Sequence, residues 1–358
     1  MDKFVVSALK YRPQQFSEVV GQQAITQTLV QAIEAQQLPQ ALLFCGPRGV
    51  GKTSCARILA KTINASNLEN QPDEDFAFNI FELDAASHNT IDDIRSLNEQ
   101  VRIPPQVGSH KIYIIDEVHM LSLAAFNAFL KTLEEPPAHV IFILATTEKQ
   151  RLIPTILSRC QIFDFKRIEI PEIKEHLAHV AEQQQISYED EALHIIAQKA
   201  DGAMRDALSI FDRMANFCRN NLTAQDVAAN LNMLDPAKYF EFSSLLVEQK
   251  IPEVLLAYDD ILKRGFEGSQ FLDGLASHFR LLFMAKNPAT HRLLEVSDSL
   301  QGLAAERSQK YTAAQLMQGL EIITEAEINY PKSKHKRLTT ELCLMQLASL
   351  TSEGAKKK

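Results

Sequence analysis

Nowhere does the chain carry an uninterrupted apolar run long enough to cross a bilayer. Its first residues, MDKFVVSALKYRP, bring charge in early and lack an apolar h-region, which argues against a secretory signal peptide. Cysteine is scarce. Cys45, Cys55, Cys160, Cys218 and Cys343 are odd in number and include no CxxC pair, so they suit neither a disulfide framework nor a zinc site. They read as reduced thiols of a soluble, cytoplasmic protein with no membrane partner. Positive charge is in deficit: 37 Lys and Arg against 45 Asp and Glu leave a net charge of −8. That balance gives no support to a protein that coats nucleic acid non-specifically, although it leaves room for a local basic patch. Short-period repeats and long low-complexity linkers are also missing.

What is present is enough apolar residue, 46% of 358, to fill more than one core, and two or three domains are expected. The apolar spacing of residues 22–36 predicts a helix ending near Gln37, ahead of Pro39. Ala41–Cys45 reads as a buried strand, followed by a glycine loop at 46–53 and a helix beginning SCARILAKTI. Residues 64–77 are polar and acidic and read as an exposed loop. Further strands are expected at 79–83, 111–115 and 140–145. Between them lie a helix opened by Thr90-Ile91-Asp92-Asp93, with an N-cap and first-turn acids, and a helix at 122–134 stopped by Pro136-Pro137. Strands alternating with helices imply a parallel sheet covered on both faces. Beyond about residue 166 the strand signal fades into helices. The division expected is an α/β domain over 1–166, a small helical domain over 167–232, an all-α domain over 233–350 and a frayed tail over 351–358.

GPRGVGKT, Gly46 to Thr53, fits G-x-x-x-x-G-K-[ST]. Gly46, Gly49 and Gly51, with Pro47, Arg48 and Val50 between them, let backbone N–H groups turn in around phosphate oxygens. Lys52 brings a charge to the outer phosphates, the Thr53 hydroxyl can ligate magnesium, and Ser54 continues into the helix whose positive end faces the same anion. An ordinary glycine-rich turn is the alternative. The strand before the motif and the helix after it decide for the phosphate loop, with ATP and Mg2+ as the expected ligands. IYIIDEVH, Ile112 to His119, is an apolar strand ending in two acids. Downstream of a phosphate loop, Asp116 would hold the magnesium and Glu117 would polarise the attacking water, which argues for hydrolysis and not only binding. VIFILATT, Val140 to Thr147, carries hydroxyls at its tip. A threonine there either positions the lytic water or the γ-phosphate, or simply caps a helix. Arg159, in SRC, is either a surface arginine or a finger that reaches a neighbouring subunit's phosphate. Arg205, in GAMRDAL, pairs with Asp206 or Asp201 within its helix or folds back onto the nucleotide.

These stretches, with KYRPQQFSEVVGQ (10–22), ELDAAS (82–87), FNAFLKTLEEPP (126–137), ILATTEKQRLIPTILSRCQIF (143–163) and DGAMRDALSIFD (201–212), resemble the clamp-loader branch of the AAA+ ATPases, in the form found in bacterial DNA polymerase III. The resemblance spans roughly the first 215 residues in order. It implies a P-loop AAA+ parallel-sheet domain, a helical lid and an all-α collar. It gives Thr147 the role of the sensor threonine, Arg159 that of the trans-acting finger and Arg205 that of the second sensor. Tyr11, Arg12, Val19 and Val20 match the box near the base and ribose. The implied activity is ATP hydrolysis in a hetero-oligomeric ring with other clamp-loader subunits, which opens a sliding clamp and loads it on primer-template DNA. The helix opening at Thr90, with Arg95, is a candidate DNA-facing surface. A non-hydrolysing structural subunit and another AAA+ DNA remodeller are the alternatives; the intact Lys52 and Asp116-Glu117 pair argue against the first, and the SRC motif and collar-length tail against the second.

Two departures matter. The family usually carries a four-cysteine zinc module before the ELDAAS strand, but here the interval 64–78 holds no cysteine, so no zinc is expected. Longer members continue into segments that engage the replicative helicase and the polymerase. This chain stops at Lys358, as a short form or a truncated piece, and those contacts are not expected of it.

Overall fold

The computed structural model describes residues 6–65, 79–106, 108–231, 234–294, 296 and 298–350. By packing, the chain forms two compact units: one comprises the residues up to Ser187 together with Ile196–Asn220, the other Tyr188–Ile195 and the chain from Asn221 onward.

The first unit is built on a five-stranded sheet in the order β2-β3-β4-β1-β5, from β1 (Ala41–Cys45), β2 (Ile80–Asp84), β3 (Lys111–Asp116), β4 (Val140–Thr146) and β5 (Gln161–Asp164). Every pairing is parallel. The central strands explain their own position. ALLFC and VIFILAT are buried at every residue, as a strand covered on both faces must be. Alternation then sorts the side chains between two layers. Leu43, Tyr113, Ile115, Phe142 and Leu144 pack with Ile94, Leu97, Phe126, Phe129 and Leu133 from helices Ile91–Val101 and Leu123–Glu134. Leu42, Phe44, Ile112, Ile114, Ile141 and Ile143 face the other way, onto Leu29, Cys55, Ile58, Leu59 and Ile63 from helices Gln23–Glu34 and Lys52–Ala65. The doubly covered parallel sheet expected from the sequence is therefore the fold.

Local signals behave as expected at the helix starts. Thr90 makes a reciprocal capping box with Asp93, and Ser122 Oγ accepts from Ala125 N at 3.2 Å. The sequence supports four strands; the fifth, QIFD, is a four-residue edge strand with exposed polar ends, too short and too polar to announce itself. The loop expected at 64–77 and the tail at 351–358 fall almost wholly outside the described residues. The second unit is mainly helical. Its core gathers Phe242, Tyr258, Phe271, Leu275, Phe279, Leu316, Ile323 and Leu344 from helices Pro236–Val247, Ile251–Lys263, Gly268–Ala285, Ala313–Asn329 and Lys336–Ser349. Among the described residues no helix is long and apolar enough to cross a membrane.

Candidate nucleotide site

At the carboxyl ends of β1 and β3 the first unit holds a cavity of about 660 Å³. Its walls come from the N-terminal segment (Tyr11, Arg12, Val19, Val20), the loop Arg48–Ser54, the strand tips (Glu82, Asp84, Asp116, Glu117) and the helices Ile170–Gln183 and Met204–Phe217 (His176, Arg205).

The loop needs its glycines for two separate reasons. Gly46 has φ +143°, and a Cβ there would lie 2.4 Å from the Phe165 carbonyl oxygen. Gly49 has φ +77°, and a Cβ would meet Ala203 Cβ at 3.0 Å, because the start of helix Met204–Phe217 sits directly on the loop. Arg205 N donates to Gly49 O at 3.4 Å in the same contact. Gly46 and Pro47 lie behind the cavity wall, and their carbonyls each accept from Lys52 Nζ at 2.7 Å. Lys52 is only 6% exposed. Burial lowers its pKa, against the opposing pull of Glu117 and Asp116. An anion entering this pocket would restore what burial takes from the ammonium.

Thr53 Oγ1 donates to Asp116 Oδ2 at 2.8 Å, so the two oxygens read from the sequence as magnesium ligands are side by side. Hard oxygen donors at the edge of a phosphate loop fit that ion. Glu117 follows in the left-handed region, φ +47°. Its N–H donates to Asp116 Oδ1 at 2.9 Å, and its own carboxylate is turned toward the tip of β4. There Thr147 N and Thr147 Oγ1 donate to Glu117 Oε2 at 3.1 and 2.9 Å. Thr147 does not cap a helix: the short turn Lys149–Arg151 has Glu148 at its N-cap, with no side-chain capping bond.

Tyr11 brings a buried hydroxyl without a hydrogen-bond partner among the described residues to the cavity wall, and Arg12 sits near Arg57 and Arg205. Burial lowers the Arg12 pKa, Arg57 and Arg205 add repulsion, and Glu82 offsets part of it. Arg205 lines the cavity; Asp201 instead pairs with Arg167, and among the described residues no ion pair joins Arg205 to Asp206. Arg159 lies outside the cavity wall. Its guanidinium donates to Thr155 O at 2.8 Å and pairs with Glu134, with about a third of the side chain exposed. Arg95 is exposed and pairs with Asp92 at 3.1 Å.

Several lining residues escaped the sequence reading. Arg57, paired with Glu82, stands one helical turn beyond Thr53, a spacing that marks it as a neighbour of the loop. His176 comes from a distant helix with no local signal; burial, with His179 nearby, lowers its pKa, which favours the neutral ring. All five cysteines are free thiols, and burial pushes Cys45 up to about 11 and Cys55 up to about 12. Among the described residues no cluster of His, Cys, Asp and Glu could hold a metal ion; most of the interval 64–78 lies outside them.

Comparison with known proteins places the chain in a family. The DNA polymerase III subunit gamma of Buchnera aphidicola subsp. Baizongia pistaciae is 37% identical over 265 residues, which cover 71% of this chain and 71% of that protein. This chain belongs to the DNA polymerase III tau/gamma family. Three family descriptions match it in succession: DNA polymerase III, delta subunit, over residues 21–169; DNA polymerase III clamp loader subunit, ATPase lid domain, over 172–220; and DNA polymerase III subunits gamma and tau domain III, over 222–358. The tau subunit of Bacillus subtilis is 35% identical over 96% of this chain, and that of Escherichia coli 38% over 80%. The chain spans 63% of the former and the match covers 46% of the latter, so it covers less than two thirds of either relative's length. Among solved structures, a RuvB variant from Thermotoga maritima matches with a TM-score of 0.50 at 21% identity, covering 66% of this chain and 80% of RuvB. That is a likeness of fold.

Proposed function

We propose that this chain is an ATP-hydrolysing motor subunit of a DNA polymerase III clamp loader, acting in the cytoplasm within a hetero-oligomeric ring that opens a sliding clamp and loads it on primer-template DNA. The observation that carries the proposal is the convergence of Lys52, Thr53, Asp116 and Glu117 on one cavity under a lid helix that contributes Arg205. Lys52 and the loop N–H groups of Arg48–Ser54 hold the phosphates. Thr53 and Asp116 hold magnesium, which when bound neutralises phosphate charge. Glu117 orients and polarises the attacking water, the step that separates a motor from a passive nucleotide-binding subunit. Tyr11, Arg12, Val19 and Val20 enclose the base and ribose. Thr147 reports nucleotide state to Glu117, and Arg205 does so for the lid. Zinc is not among the proposed ligands, because the segment between helix Lys52–Ala65 and β2 has no cysteine.

Arg159 serves the neighbouring subunit. Its position outside its own cavity, held at the end of helix Leu123–Glu134 by Glu134, supports a role in trans. The helices over 233–350 supply the collar. The test is steady-state ATPase activity of the reconstituted complex with and without sliding clamp and primed DNA. Stimulation by both together, lost in Arg159→Ala complexes that still bind ATP, is the expected result. Equal turnover with and without clamp and DNA overturns the clamp-loader reading, and normal turnover in Arg159→Ala removes the trans assignment.

A further inference from the structure

His119 follows the acid pair by two residues, and no role has been assigned to it above. Its side chain is only 5% exposed, yet both ring nitrogens face acids. Nδ1 lies 3.3 Å from Glu117 Oε2 and 3.0 Å from Thr146 Oγ1. Nε2 lies 3.4 Å from Glu148 Oε1. Glu148 in turn pairs through Oε2 with Arg151 Nε at 2.8 Å, and its N–H donates to Thr146 Oγ1 at 3.0 Å. A polar ring is costly to bury without partners, and this one has a hydrogen bond with Thr146 at Nδ1 and a carboxylate facing Nε2.

On Glu117 the contacts are one-sided. Thr147 N, Thr147 Oγ1 and His119 Nδ1 all converge on Oε2, while Oε1 accepts no hydrogen bond among the described residues. Anchoring one carboxylate oxygen fixes the plane of the group and leaves the other oxygen for a water. His119 is absent from the cavity wall, so it does not touch the nucleotide space itself. Its far edge reaches Glu148, which pairs with Arg151 at the head of the segment that runs through helix Pro154–Leu157 to Arg159.

We infer that His119 is a positioning residue: it fixes the Glu117 carboxylate in its working orientation and ties that orientation to the Glu148–Arg151 end of the segment that carries Arg159. The inference rests on the proposed hydrolytic role of Glu117 and adds the device that orients it. Only one ring nitrogen has to be kept for the positioning function, and side-chain geometry allows the two to be separated. An asparagine amide reproduces the Nδ1 position and loses the reach to Glu148. A glutamine amide reproduces the Nε2 reach and loses the contact with Glu117.

The experiment compares wild type, His119→Asn, His119→Gln and His119→Ala in the reconstituted complex with clamp and primed DNA. It measures kcat, nucleotide Kd by fluorescent ATP analogue, and melting temperature. The expected result is a fall in kcat of about ten- to a hundredfold for Ala and Gln, the scale of a carboxylate misplaced by about 1 Å. Asn keeps kcat within about threefold, and all variants bind nucleotide within about twofold of wild type. An unchanged kcat in His119→Ala overturns the inference. So does a loss that is the same in Asn and Gln and tracks melting temperature, since that pattern describes packing alone. Wild type that binds ATP but does not hydrolyse it overturns the hydrolytic reading and the inference with it, whereas an active wild type matched by His119→Ala overturns only the inference.

Discussion

Replacing Lys52 by methionine separates what the lysine does for the empty loop from what it does for the nucleotide. In the loop its Nζ donates to the Gly46 and Pro47 carbonyls at 2.7 Å each. Hydrogen bonds from a charged donor are worth about 1.5–3 kcal/mol each. Against that gain stands the desolvation of a nearly buried cation, several kcal/mol, which methionine does not incur. The two terms are of similar size, and the carbonyls released lie beside a cavity open to water. The Lys52→Met protein should therefore melt within about 3 °C of wild type when no nucleotide is present, given about 2–4 °C per kcal/mol for a unit of this size. Nucleotide changes the comparison. MgATP at about a hundredfold its Kd stabilises a protein that binds it by about 2.7 kcal/mol, or about 5–10 °C here. Lys52→Met should lose nearly all of that shift, because the charge that meets the outer phosphates is gone while the fold is intact. Differential scanning fluorimetry with and without MgATP reads both quantities. A variant that keeps more than half of the shift refutes the phosphate-binding role. One that loses more than 5 °C without nucleotide refutes the claim that the lysine is poised and not structural.

Gly46→Ala should fail differently. Its Cβ would sit 2.4 Å from the Phe165 carbonyl oxygen at φ +143°, and Phe165 N is itself bonded to Cys45 O at 2.7 Å, so backbone has to move. A loss of about 1–3 kcal/mol, with weakened ATP binding, is expected in thermal melts and nucleotide titration; an unchanged melting temperature would show that the close approach is absent. The second unit carries an acid sensitivity at His278, which is 5% exposed, bonded to Ser243 Oγ at 3.0 Å and pushed down to about 3 by burial. The sign follows from proton uptake: the unfolded chain gains this proton near pH 6.5 and the folded one only near pH 3, so stability is full above pH 6.5 and falls as pH drops through that window. Between pH 7 and pH 5 the loss is about 2 kcal/mol. Hydrogen exchange of helix Gly268–Ala285 should show it in wild type and show much less in His278→Gln; equal slopes would refute the assignment.

The sequence made the sheet readable wherever burial was one-sided or total. The runs ALLFC and VIFILA read as strands and lie inside the sheet, and Thr90 with Asp93 marked a helix start that is present. Local chemistry was legible for the same reason: a phosphate loop is a contiguous motif, and an acid pair at a strand tip is fixed by one strand. What could not be read is what the fold brings together from afar. QIFD has too few buried positions to register as a strand. His176 reaches the cavity only because its helix closes over it, and Arg57 only because one helical turn separates it from Thr53.

Glu117 shows why the second kind of information matters more for function than the first. Its residue type and its place after β3 are enough to name it, but its backbone sits at φ +47°, a conformation that costs an ordinary side chain about 1–3 kcal/mol. Locally its N–H donates to Asp116 Oδ1 at 2.9 Å and its carbonyl accepts from Met120 N at 2.8 Å. The side chain is held from farther off, at the tip of β4, where Thr147 N and Oγ1 donate to Oε2 at 3.1 and 2.9 Å, with the buried ring of His119 at 3.3 Å. The strained turn aims the carboxylate sideways, at the neighbouring strand, and not straight out of the sheet. A residue oriented by the next strand is sensitive to whatever moves that strand's tip. Glu148 follows that tip, Arg151 closes the short turn after it, and the chain runs on from them to Arg159. On the roles proposed for Arg159 and Glu117, displacement of Arg159 by a neighbouring subunit would have a short covalent and hydrogen-bonded route to the Glu117 carboxylate, and the strain at Glu117 supplies the reason it would respond.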